Sequence, residues 1–133
     1  MGGIDAKKPK PGMKIRGKFG IYKLTKEIGG GGNGTVFSVE VISAEKQLPE
    51  KENFVVKILK YSSRPKQERE KREKRFEREV RYVYQIQHEI EGIIPIYDSS
   101  YFLEKRESFA WYLMPKASTY NFKGIHSTEE KLI

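Results

Sequence analysis

The sequence predicts an α+β domain in which a five-stranded antiparallel sheet carries one long helix on a face. Apolar and β-branched residues recur in five short runs, and polar or Gly-rich segments separate these runs. A single long segment rich in Glu, Lys and Arg lies between the third and fourth runs. Hairpin-length connections between the runs favour antiparallel pairing, so we expect the helix to pack on one face of the sheet.

Composition limits the chain to one domain of ordinary size and excludes several kinds of site. The 133 residues include 26 Lys and Arg against 18 Asp and Glu, a net charge of +8 that attracts polyanions without choosing among nucleic acid, acidic membranes and nucleotides. The chain has no cysteine, which excludes disulfides and thiolate metal sites, and we expect no metal site. Neither a secretory signal nor an apolar run of about 18 residues is present, so we expect a cytoplasmic protein without a membrane segment.

The first three strands surround the glycines. Polar and apolar residues alternate over residues 22–28, and residues 35–42 are rich in β-branched and aromatic side chains. A polar loop then leads to the short apolar run Phe54–Leu59. Before these strands, residues 1–20 have the composition of a flexible basic arm.

The helix is predicted from Lys66 until Gly92 ends it. Its charges alternate in sign, and its second half has an apolar face that includes Phe76, Val80 and Val83. A fourth strand is expected to begin at residues 93–97, and residues 109–114 form the fifth.

The glycines form a motif that is typical of phosphate binding. Gly29, Gly31 and Gly34, followed by Val36, fit the pattern G-x-G-x-x-G-x-V. Without Cβ atoms, backbone N–H groups approach phosphate oxygens closely, although a flexible polar hairpin would also explain the glycines. Thr35 stands where a Walker loop needs lysine, and a strand follows where a dinucleotide fold needs a helix. A glycine loop between two strands is the arrangement of protein kinases.

Two charged residues interrupt apolar patterns and are therefore candidate catalytic residues. Lys57 lies within the apolar third strand, where an ammonium group is costly without an anionic partner. Glu79 shares the helical face of Phe76, Val80 and Val83, and so should turn toward the sheet. The alternatives are a lysine on a solvated sheet face and an acid at the edge of the helix stripe.

In combination, these motifs resemble the small, ATP-binding lobe of eukaryotic-like serine/threonine protein kinases of the bacterial type. The resemblance covers residues 21–117 in order, and residues 118–133 resemble the hinge exit and the start of the large lobe. The matching segments are Ile28 to Val36, Val55 to Lys57, Arg75 to Glu79, His88 to Asp98 and Trp111 to Pro115.

The resemblance implies a role for each matching residue. Lys57 would bind the α- and β-phosphates of ATP and be oriented by Glu79. The glycines would cover the phosphates, and Ile28, Val36 and Val55 would lie above adenine. Met114 would lie at the back of the pocket. The backbone of Pro115 and Ala117 would bind the edge of adenine. Val55 departs from the family's usual alanine, and Asn33 replaces its usual aromatic residue.

The same resemblance implies that the chain alone is inactive. Kinase chemistry needs an Asp near the substrate hydroxyl and an Asp with an Asn to hold Mg²⁺, and the only aspartates are Asp5 and Asp98. We therefore expect a fragment of a kinase, with Mg²⁺ bound only through a large lobe that this sequence lacks. Its partners would be nucleotide, a protein substrate in the full-length kinase, and a second copy of itself through the exposed lobe face.

Two other functions remain open. A kinase-like chain without catalysis could serve as a scaffold or decoy. A basic nucleic-acid-binding module could use residues 7–18 and 64–81, although five glutamates dilute the positive charge of the helix.

Overall fold

Six strands and one long helix make up the part of the chain that the structure describes. This computed structural model describes residues 8–30, 34–45, 48, 53–59, 65–105 and 109–116. The strands are β1 (Lys14–Arg16), β2 (Gly20–Gly30), β3 (Gly34–Ala44), β4 (Phe54–Leu59), β5 (Asp98–Ser99) and β6 (Trp111–Pro115). The helix α1 is Lys66–Ile86, and a 3-10 turn covers Ser100–Phe102.

All six strands pair antiparallel, in the order β1-β2-β3-β4-β6-β5, and the sheet curls into a half-barrel. The predicted α+β class is confirmed, but the sheet has six strands rather than five. The additional strand is β1, within the segment that we assigned to the basic arm. Its Ile15 lies opposite Tyr22 and is 3% exposed, so one apolar side chain anchors this basic segment to the sheet.

The fourth predicted strand lies further along the chain than expected. Residues 93–97 are not in a strand, and pairing with β6 begins regularly at Asp98. Pro95 lacks an N–H group for a strand ladder. The backbone of Ile96 instead bonds to the side chain of Gln87, whose Nε2 donates to the Ile96 carbonyl at 3.1 Å and whose Oε1 accepts from the Ile96 N–H at 2.8 Å.

The inside of the half-barrel is apolar and forms the larger core. Along β4 the side chains of Phe54, Val56 and Ile58 enter this core, whereas those of Val55 and Lys57 alternate to the other face. Burying one valine, isoleucine or phenylalanine side chain fully stabilises the fold by about 1.5–3 kcal/mol. The buried members of the core are Ile15, Tyr22, Leu24, Phe37, Phe54, Val56, Ile58, Phe109, Trp111 and Leu113.

Helix α1 covers the outer face of the sheet with its second half only. Phe76, Val80 and Val83 are buried at spacings of four and three residues, which place them on one side of the helix. They pack against Ile93, Ile96 and Ala110. The helix begins at Lys66 as predicted but ends at Ile86, six residues before Gly92, and residues 87–92 form turns.

Asp98 joins the two edges of the sheet and so closes the half-barrel. It lies on edge strand β5 and is fully buried. Its carboxylate accepts hydrogen bonds from the N–H groups of Lys18 and Phe19 at 3.0 Å each, from the Ser99 N–H at 2.8 Å and from the Tyr22 hydroxyl at 2.6 Å. Lys18 and Phe19 form the turn between β1 and β2, at the opposite edge of the sheet.

The surroundings of Asp98 are shaped for its carboxylate. A Cβ atom on Gly17 would lie 2.6 Å from the Asp98 Cγ atom, so this glycine gives the carboxylate its space. Burial raises the pKa of the Asp98 carboxyl, while the four hydrogen bonds oppose that rise. Burial and the bond to Asp98 also raise the pKa of the Tyr22 hydroxyl, which therefore stays protonated as the donor.

Candidate functional site

The predicted glycine motif lies where two long antiparallel strands meet. Gly29 pairs with Val36, and Gly30 pairs with Thr35, at the end of the β2–β3 hairpin. Space for an added Cβ is open at Gly29 but tight at Gly30, where that atom would lie 3.3 Å from the Gly34 carbonyl oxygen. Gly31 lies outside the described residues. Gly29, Gly30 and Gly34 therefore lie at the facing ends of two antiparallel strands, and the predicted pairing of these strands is confirmed.

Strand register brings four predicted side chains to one face of the sheet. Val36 lies opposite Lys57 across β3 and β4, and Val55 lies opposite Met114 across β4 and β6. Directly paired residues project to the same side, and here that side is the outer face, because Val56 between them enters the core. This outer face, defined by Val36, Val55, Lys57 and Met114, is the candidate nucleotide face.

The predicted nucleotide residues differ in how accessible they are. Ile28 is 40% exposed, and Val36, Lys57 and Met114 are half-buried. Val55 is 1% exposed, so little of its side chain is open to a ligand. Pro115 is buried at the end of β6, and Ala117 lies outside the described residues.

Gly34 determines how Lys57 crosses the outer face. A Cβ atom on Gly34 would lie 3.3 Å from Cε and 3.5 Å from Cγ of Lys57, and 2.8 Å from the Ile58 carbonyl oxygen. The aliphatic part of Lys57 therefore passes directly beside the last glycine of the motif. A larger residue at this position would displace both the lysine and the β3–β4 pairing.

A cavity of about 100 Å³ separates β4 from α1 and brings Lys57 and Glu79 together. Glu79 is exposed on the helix, and within the described residues the two side chains form no ion pair. The cavity is lined by Lys57, Leu59, Arg72, Arg75, Phe76 and Glu79.

Sequence reasoning missed the two arginines of this cavity. Arg72 and Arg75 belong to a helix with many cations, and Arg75 was noted only as the first residue of the matching segment Arg75 to Glu79, without a role of its own. Their spacing relative to Glu79 is the signal that was available. Positions 72, 75 and 79 follow one another by three and four residues, which places all three on one side of the helix.

The described residues contain neither a cluster suited to a metal ion nor a helix suited to a membrane. In that part of the chain, no group of three or more His, Asp and Glu side chains is arranged to hold a metal ion. No helix there is both long enough and apolar enough to cross a bilayer.

Comparisons with known proteins give no relative to guide the assignment. No protein-family model matches the sequence, and no match was found among curated proteins. The functional assignment therefore depends on the residues of this chain.

Proposed function

We propose that this chain is the ATP-binding lobe of a serine/threonine-type protein kinase and binds nucleotide across the candidate nucleotide face. The observation that carries the proposal is the position of Lys57, which lies beside Gly34 of the glycine motif and lines one cavity with Glu79. Lys57 is half-buried, and a lysine that lies between a glycine hairpin and a carboxylate is suited to phosphate oxygens, since charge-assisted hydrogen bonds are strong.

Each part of the face would have its own task in nucleotide binding. Backbone N–H groups at Gly29 and Gly34 would donate to phosphate oxygens, and Lys57 would supply the countercharge. Glu79 would orient Lys57. Ile28, Val36 and Met114 would offer apolar contact to the base. The half-buried Met114 would limit how deeply the base enters the face.

Phosphoryl transfer by this chain alone is not part of the proposal. Asp98 is the only aspartate among the described residues, and its carboxylate is occupied by four hydrogen bonds in the core. It is therefore unsuited to act as a base or to hold Mg²⁺. In a full-length kinase, the residues for these tasks would come from the large lobe.

Lys57→Met is expected to weaken ATP binding at least about tenfold, because it removes a charge-assisted hydrogen bond to phosphate. The measurement is isothermal titration calorimetry of ATP into the 133-residue chain. Lys23→Met is the matched control, since Lys23 is also a half-buried strand lysine but lies on β2, opposite Lys14. Equal losses in the two variants, or no ATP binding by the unmodified chain, would contradict the proposal.

A further inference from the structure

The cavity between β4 and α1 carries more positive charge than Lys57 alone would give it. Its lining includes Lys57, Arg72 and Arg75, with Glu79 as the single carboxylate, so the formal charge is 3 − 1 = +2. Opposite charges attract, so a lining in which cations outnumber carboxylates favours a multivalent anion.

The walls of the cavity strengthen its electrostatics. Leu59 and Phe76 supply apolar surface, and Phe76 is 7% exposed. Lys57 and Arg72 are half-buried beside these walls, whereas Arg75 and Glu79 are exposed. Charges beside apolar walls are less screened than charges in open water, so an anion held here would interact most strongly with Lys57 and Arg72.

The size of the cavity suits a small ligand group. Its volume is about 100 Å³, whereas one water molecule needs about 10–15 Å³ in the same measure. The cavity thus has room for several waters or for a tetrahedral phosphate group. A nucleotide would place a phosphate inside the cavity and its base on the candidate nucleotide face.

We propose that Arg72 and Arg75 act with Lys57 as a phosphate-binding site, whose ligand class is a phosphoryl group of a nucleoside di- or triphosphate. Arginine matches phosphate geometry with two parallel N–H donors, which a lysine cannot supply. The resemblance described above assigns phosphate contact to Lys57 and gives these arginines no part. The nucleotide in this proposal depends on the proposed function, whereas phosphate binding by the cavity does not.

The test is calorimetric titration of the full 133-residue chain with sodium pyrophosphate, tripolyphosphate, ATP and adenosine, in buffer containing EDTA. The double variant Arg72→Gln/Arg75→Gln is compared with Lys74→Gln/Arg78→Gln. The control pair lies on the same helix, is exposed and removes the same charge without lining the cavity.

Replacing both cavity arginines is expected to weaken pyrophosphate and ATP binding at least about tenfold, because each arginine contributes charge-assisted hydrogen bonds. The control pair should weaken the binding of pyrophosphate and of ATP by less than about threefold. This smaller effect measures the contribution of net charge alone. Adenosine binding should be the same in both double variants. Circular dichroism melts establish that each variant folds, and pyrophosphate binding by the unmodified chain tests the site without any substitution.

The outcomes separate this inference from the proposed function. The inference is overturned if pyrophosphate does not bind the unmodified chain, or if the two double variants lose equal affinity. If ATP binding depends on Lys57 but not on Arg72 and Arg75, the inference fails and the proposed function stands. If pyrophosphate binding depends on the arginines and ATP binds no more tightly than tripolyphosphate, the phosphate site stands and the proposed nucleotide function fails.

Discussion

Replacing Asp98 by alanine is expected to lower the free energy of unfolding by about 3–5 kcal/mol. The fully buried carboxylate accepts from three backbone N–H groups and from the Tyr22 hydroxyl, and alanine would leave all four donors without it. The gain from no longer burying a charge offsets only part of this loss. Because Asp98 links the two edges of the sheet, the loss would also open the half-barrel.

The size of this effect can be measured by urea denaturation at fixed neutral pH, followed by circular dichroism. Asp98→Asn is the matched variant. Its amide oxygen still accepts hydrogen bonds, whereas its NH₂ group would face N–H and O–H donors. We therefore expect an intermediate decrease in the free energy of unfolding of about 1–3 kcal/mol. If alanine and asparagine both leave the free energy of unfolding within about 0.5 kcal/mol of the unmodified chain, Asp98 does not hold the sheet edges together.

Trp111→Ala is expected to cost about 3–5 kcal/mol, because it would leave a large cavity in the core inside the half-barrel. Trp111 is 1% exposed, and its ring meets the Tyr22 ring edge-to-face at a centroid distance of 5.7 Å. Its neighbours belong to several strands, so they cannot collapse into the space without breaking the ladder. Trp111 is the only tryptophan, so far-UV circular dichroism is the appropriate probe.

Tyr82→Ala is the control for this substitution. Tyr82 is also a large aromatic residue, but it is 52% exposed on α1, so its loss should change the free energy of unfolding by less than about 1 kcal/mol. Similar losses for the two variants would mean that the inside of the half-barrel is not the dominant core.

The elements that could be predicted from the sequence are those with a local pattern. The short apolar run of β4 and the three- and four-residue spacing on α1 identified the strand, the helix and the buried face of the helix. Strand β1 could not be predicted, because its single apolar residue, Ile15, lies between basic residues. The end of α1 at Ile86 has no glycine or proline to mark it in the sequence, and the Gln87 side chain that follows bonds to Ile96, nine residues away.

The candidate site shows the same division. Lys57 and Glu79 could be identified because each interrupts an apolar pattern, whereas Arg72 and Arg75 are cations in a helix full of cations. The structural role of Asp98 could not be predicted, because its partners Lys18, Phe19 and Tyr22 lie 76 to 80 residues away along the chain. No local pattern encodes a contact of that range.

The most direct test of the central claim is an NMR titration of the isotopically labelled chain with ATP, followed through its backbone amides. Nucleotide binding across the candidate nucleotide face predicts saturable shifts at Gly29, Gly34, Val36, Lys57 and Met114, with Lys14 on the edge strand β1 and Lys23 on the neighbouring strand β2 unchanged. Shifts confined to Lys14 and Lys23, or no saturable shift at millimolar ATP, would contradict it, because the glycine hairpin and Lys57 would then have no part in nucleotide binding.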